Sequence, residues 1–133
     1  MTLDTLADLR RPSVRRHDED DLQMAVVQFL ELALPASAIY FAVPNGGLRS
    51  KRVASRLKAM GVRAGVPDLV VLWLGQWIFI ELKPPTGGFL SKAQRETIPL
   101  LERAGAAVLV CRSVGEVEGG LRGSGLPLRA TVT

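Results

Sequence analysis

The sequence predicts an α/β domain, a mixed central sheet flanked by helices in the order αβαββαβα. Three observations carry this prediction. Short apolar runs of strand length alternate with segments whose apolar residues recur at helical spacing. Two of those runs, Leu69–Leu74 and Trp77–Lys83, are separated by two residues and read as a hairpin, and their nearly continuous apolar character places it centrally, covered on both faces. The chain has 133 residues, 47% of them hydrophobic, which suits one domain with its own core.

Residues 1–17 read as a flexible basic N-terminal extension carrying Arg10, Arg11, Arg15 and Arg16. The domain proper is expected over 18–122. Its first helix starts at Asp18, which can cap it, and Glu19, Asp20 and Asp21 suit the positive end of the helix dipole. Leu22, Ala25, Val26, Phe29, Leu30 and Ala33 form its apolar stripe, and Pro35 ends it. Ile39–Val43 reads as a buried strand, followed by a turn at Pro44-Asn45-Gly46-Gly47. Ser50–Met60 reads as a helix with Val53, Leu57 and Met60 on one side and basic residues on the other, closed by Gly61. The hairpin turn is placed at Gly75-Gln76 with type II′ geometry. A loop over Pro84–Phe89 leads to a helix opened by Ser91, with Gln94 completing a capping box. Pro99 should kink that helix or end its first half, and Gly105 ends it. Ala106–Cys111 is the last strand and Val114–Leu121 the last helix, with a tail over 123–133.

Formal net charge is +4, but its distribution says more. Between Leu32 and Pro67 there is no acidic residue, while Arg49, Lys51, Arg52, Arg56, Lys58 and Arg63 fall there. A polyanion-binding surface has this character; a solvated basic helix accounts for the charge alone equally well. No apolar run approaches the roughly 18 residues of a membrane span. The first residues lack a signal-peptide core. The lone Cys111 fits a reducing interior, so an intracellular, cytoplasmic location is expected.

The chemistry concentrates in Pro67-Asp68 and Glu81-Leu82-Lys83. If Leu74 pairs with Trp77, Asp68 falls opposite Lys83 and Val70 opposite Glu81. Side chains alternate with period two, so Asp68, Glu81 and Lys83 share a face, with the two acids diagonal neighbours roughly 7–8 Å apart. Buried like charges need a cation. Magnesium takes oxygen ligands and commonly uses one or two carboxylates plus substrate phosphate. Such a site suits phosphodiester hydrolysis, with Lys83 positioning water or stabilising developing negative charge. The competing explanation is a pair of structural ion pairs at a sheet end. Glu19 lies on the inward side of its helix, within reach of the same site, and Gln23 sits one turn further on; dipole chemistry or a boundary position explains either residue without catalysis.

The blocks Gly65-Val66-Pro67-Asp68-Leu69-Val70-Val71-Leu72, Phe79-Ile80-Glu81-Leu82-Lys83 and Leu90-Ser91-Lys92-Ala93-Gln94 strongly resemble the VRR-NUC (virus-type replication-repair nuclease) domains of the PD-(D/E)xK superfamily. So do Glu19-x-x-Leu22-Gln23 and Val43-Pro44-Asn45-Gly46-Gly47. The resemblance spans about residues 18–122. It implies a restriction-endonuclease-like core and DNA cleavage dependent on Mg²⁺, with Mn²⁺ able to substitute. By position it makes Glu19, Asp68 and Glu81 the metal-binding acids, Lys83 the catalytic lysine and Gln94 the helix glutamine near the site. It further implies a bacterial or phage setting, branched DNA such as four-way junctions, and a homodimer. Arg49, Lys51, Arg52, Arg56, Lys58 and Lys92 are the candidate DNA contacts. The alternative is a non-catalytic DNA-binding module using the basic helix 50–60; RNA cleavage by the same fold is a weaker one.

The remaining residues have plainer explanations. Asn45, Gly46 and Gly47 suit a phosphate approach or a simple turn. His17, the only histidine, lacks partners for a zinc site or a triad. Cys111 reads as core, and Trp73 and Trp77 as packing beside the hairpin turn.

Overall fold

The computed structural model describes residues 3–44 and 50–133, with side chains from Asp18 onward, so the expected turn residues Asn45, Gly46 and Gly47, together with Arg49 and the side chain of His17, lie outside what is described below. The element order is α1 (Leu3–Ala33), β1 (Ala38–Ala42), α2 (Lys51–Ala59), β2 (Leu69–Trp73), β3 (Gln76–Leu82), α3 (Lys92–Arg103), β4 (Ala107–Cys111) and α4 (Val114–Gly123). This is the predicted αβαββαβα order. The four strands form one mixed sheet in the order β1-β2-β3-β4, antiparallel except for the parallel β3–β4 pair.

One face of the sheet carries Leu69, Val71, Ile78, Ile80, Leu82 and Cys111. These pack against Val26, Leu30 and Leu34 of α1 and Val117 and Leu121 of α4 to form the main core. Full burial of each such aliphatic side chain contributes roughly 1.5–3 kcal/mol, so this layer is the chief source of stability. No helix in the described residues is long and apolar enough to cross a membrane.

Several sequence expectations change. The first helix does not begin at Asp18; it runs back to Leu3. Asp18 is therefore an interior residue, not a cap: Leu, Ala and Arg dominate residues 3–11, favour helix, and carry it through Pro12. Ser50, the expected first residue of the basic helix, caps α2 by accepting a hydrogen bond from the Val53 amide. That helix buries no residue: Val53 and Met60 are exposed, and only Leu57 is half-buried. Pro99 neither ends α3 nor splits it, because the helix continues to Arg103. The segment after Gly123 is docked, with Leu126 in the core and the Arg129 amide donating to the Ala33 carbonyl at 2.8 Å.

The hairpin differs most. Its turn is Leu74-Gly75, with φ of +48° and +77°. Positive φ at both central positions is the type I′ geometry that matches strand twist. Trp73 therefore pairs with Gln76 and Leu69 with Ile80. The hairpin is central, as expected, but covered only at the end away from the turn: Leu72 and Trp73 are half-buried and Trp77 is 46% exposed.

Candidate active site

Extending the β2–β3 register by one pair sets Asp68 beside Glu81, not beside Lys83 as the Gly75-Gln76 turn implied. The sum of paired positions falls by two, so parity is preserved and the predicted common face survives. The change brings the carboxylates closer than the expected diagonal. The two carboxyl groups are close enough for Asp68 to raise the pKa of Glu81.

Each acid is fixed by backbone. The Asp68 carbonyl accepts from the Val43 amide at 2.8 Å, which prolongs the β1–β2 ladder by one step. Its Oδ2 accepts from the Leu82 amide, also at 2.8 Å. Glu81 pairs with Val110 across the parallel β3–β4 ladder and is only 2% exposed.

The first turn of α3 supplies the next layer. Ser91 caps the helix, and the Gln94 side chain closes a capping box as predicted. Gln94 has a second task. Its Nε2 donates to Glu81 Oε2 at 2.6 Å, while its Oε1 accepts from the Ser91 amide at 2.9 Å and from Lys83 Nζ at 3.0 Å. One amide thus orients the acid and the lysine together, and the helix cap fixes the amide's own rotation.

Burial chiefly, then the hydrogen bond its protonated form donates to Asp68 and the Asp68 charge, push the Glu81 carboxyl up to about 9. Lys83 opposes this, and Glu19 adds a further repulsion. Glu19 is half-buried on α1, whereas Asp18, Asp20 and Asp21 are exposed. Gln23 is half-buried one turn on. Among the described residues no three acidic, histidine or cysteine side chains already stand as a metal-binding group. The donors that do meet are the carboxylates of Asp68 and Glu81, all oxygen, with a single lysine as counter-charge. This donor set fits a hard divalent cation.

Three supports carry no signal in the residue spacing that located the site. Gly65 has φ of +84°, and a Cβ there would lie 2.3 Å from the Ala93 carbonyl oxygen. Only glycine lets the strand carrying Asp68 start this close to the turn carrying Gln94. Thr97 is buried, and its hydroxyl donates to the Ala64 carbonyl at 2.9 Å, tying the same two segments. Arg112 donates to the carbonyls of Pro84, Gly87 and Gly88 in the loop after Lys83. Gly65 is visible as the start of a motif block; the other two lie at sequence distances that periodicity does not read.

Of the candidate DNA contacts, Lys51, Arg52, Arg56 and Lys58 are exposed along α2, and Lys92 is exposed at the start of α3. A cleft of about 710 Å³ lies between these helices, lined by Leu57, Lys58, Arg63, Ala93, Glu96 and Thr97 among others. It adjoins the first turn of α3 and contains neither Asp68 nor Glu81.

The family model of the VRR-NUC domain matches residues 6–115. The chain belongs to the VRR-NUC family. It is therefore a member of a nuclease family, with the mixed α/β architecture described above. A solved VRR-NUC domain protein shares 21% identity with it at a TM-score of 0.57, covering 78% of this chain and 84% of the other. That likeness is one of fold. No curated protein matches the sequence. The family match starts at residue 6, inside the segment read as an extension before the domain.

Proposed function

We propose that this VRR-NUC domain is a PD-(D/E)xK endodeoxyribonuclease dependent on Mg²⁺ or Mn²⁺, with Asp68, Glu81, Lys83 and Gln94 as its core and Glu19 as a third acid. The observation that carries this reading is the pairing of Asp68 with buried Glu81, bridged through Gln94 to Lys83. Asp68 and Glu81 would hold the cation, with Glu19 contributing from α1. When bound, the cation neutralises phosphate charge and lowers the pKa of a water. Lys83 keeps its ammonium beside Glu81 through Gln94, where it can stabilise negative charge developing on the phosphate. Hydrolysis joins the water oxygen to phosphorus and breaks one P–O ester bond, leaving a phosphate end and a hydroxyl end.

Branched DNA, including four-way junctions, is the proposed substrate, and a homodimer the proposed assembly. Ile39 and Phe41 on β1 are exposed and share a sheet face with Leu72 and Trp77, an apolar surface that supports self-association. A cytoplasmic setting is proposed on the buried free thiol of Cys111. The second reading, a DNA-binding module without catalysis, is favoured by α2, which buries nothing and displays four basic side chains. Incubating the protein with junction, flap, duplex and single-stranded DNA in Mn²⁺ and mapping the products separates the two. A nuclease yields metal-dependent fragments; a binder leaves every substrate intact.

A further inference from the structure

Phe89 is 87% exposed, more than any other large hydrophobic side chain among the described residues. It sits on the loop that joins Lys83 to Ser91, the two segments from which the lysine and Gln94 emerge. An exposed phenylalanine on a mobile loop would be unexceptional, but this loop is pinned on both sides of it. Upstream, the Arg112 guanidinium gathers the Pro84, Gly87 and Gly88 carbonyls. Gly87 and Gly88 both take positive φ. A Cβ at Gly88 would lie 2.8 Å from the buried Pro84 ring and 3.8 Å from the Lys83 side chain. Downstream, Arg95 donates to the Leu90 carbonyl at 2.7 Å. The aromatic ring is thus presented to solvent by a fixed loop folded against the stem of Lys83.

We infer that Phe89 is a stacking platform for an unpaired DNA base next to the cleaved phosphate, and so a determinant of substrate structure. The inference rests on the nuclease reading for its substrate. An aromatic face stacks on any base, which makes the contact tolerant of sequence. Within an unbroken duplex, that base is already stacked and paired, and exposing it costs a few kcal/mol. At a junction, flap, gap or single strand the cost is smaller. An aromatic ring carried on this fixed loop therefore favours interrupted DNA without reading bases.

The test uses the full chain in Ca²⁺ and Mn²⁺, with Phe89→Ala and Phe89→Trp. In Ca²⁺, 2-aminopurine in the gap of a gapped duplex reports stacking. Phe89→Ala should lose the fluorescence change and bind gapped and single-stranded DNA roughly tenfold more weakly, while binding intact duplex as before; Phe89→Trp should retain both. In Mn²⁺, the ratio of gapped to duplex cleavage should fall by a similar factor in Phe89→Ala alone. Wild-type cleavage with that ratio unchanged in Phe89→Ala would overturn the inference and leave the nuclease reading standing. Phe89-dependent stacking with no cleavage in any metal would uphold Phe89 as a base-stacking residue but overturn its place beside a cleaved phosphate, along with the nuclease reading. Equal weakening on all substrates, or a changed oligomeric state with unchanged stacking, would overturn the platform and assign Phe89 to a different interaction.

Discussion

Glu81 is surrounded by groups that make opposing demands on its charge. Burial and Asp68 favour the protonated acid, and Lys83 favours the carboxylate. Its carboxyl stands near 9 in the folded chain against 4.5 for an ordinary glutamate. Folding therefore binds a proton here. The stabilisation is complete below about pH 4.5 and is lost as the pH rises through 9. Metal-free protein should melt at progressively lower temperature between pH 5 and pH 9, and Glu81→Gln should flatten that slope. A wild-type melting temperature constant over this range would contradict the proton's location. Excess Mg²⁺ at pH 8 should raise the melting temperature of wild type but not of Glu81→Gln. Gln94 acts through Glu81 and Lys83, so Gln94→Ala should lower turnover about 10- to 100-fold with DNA affinity unchanged. Gln94→Glu adds a further negative charge beside Asp68 and Glu81 and should shift the metal concentration needed for cleavage, which a metal titration would detect.

Elements position these residues, and three of them are directly testable. The hairpin turn holds Leu74 at φ +48° while leaving it 71% exposed. A branched side chain in the left-handed region is strained by about 1–2 kcal/mol. Leu74→Asn would give Asn-Gly, the preferred pair for this turn, and should raise the melting temperature by about 4 °C without altering activity. A lower melting temperature would mean that Leu74 makes an interaction worth more than its strain. The basic helix α2 bears on binding, not chemistry. Charge reversal at Arg52 and Arg56 should weaken binding to all DNA sequences alike. It should flatten the slope of log affinity against log salt by about one unit for each phosphate that the helix no longer neutralises. An unchanged slope in Ca²⁺ would move the DNA surface to the neighbourhood of Lys92 and Arg95. On α1, Glu19→Gln should impair cleavage far more than Asp20→Asn or Asp21→Asn, since Glu19 alone is half-buried and repels Glu81. Equal small effects at all three positions would reduce Glu19 to a helix-dipole role.

At the scale of the molecule, periodicity and punctuation are enough to order the elements. Apolar stripes locate the helices, and Ser91 with Gln94 locates the start of α3 to the residue. Period-two alternation places Asp68, Glu81 and Lys83 on one face even though the turn lies one residue earlier than expected, because the shift moves each pairing by an even step. What sequence pattern does not supply is long-range contact. Gly65 meeting Ala93, Thr97 meeting Ala64 and Arg112 holding the loop after Lys83 join segments that have no periodic relation. The start of α1 is hidden for a different reason: charge and Pro12 mimic a loop where helix-forming residues prevail. Gly65→Ala tests how tightly the whole is assembled. It should destabilise the fold by more than about 1 kcal/mol, through positive φ and the collision with α3 backbone, and reduce any activity with it. A melting temperature equal to that of wild type would show that the two segments can part without cost.

The proposed nuclease site stands or falls on whether the paired carboxylates of Asp68 and Glu81 make cleavage depend on a metal. The most direct measurement is cleavage of a labelled four-way junction in Mn²⁺, in Mg²⁺ and in chelator, by wild type, Asp68→Ala, Glu81→Ala and Lys83→Ala, with junction affinity measured in parallel in Ca²⁺. Wild type should cut only with Mn²⁺ or Mg²⁺. Each variant should retain binding and fall to below about one hundredth of wild-type turnover. Cleavage that survives chelation, or full activity of Asp68→Ala or Glu81→Ala at saturating metal, would contradict the site.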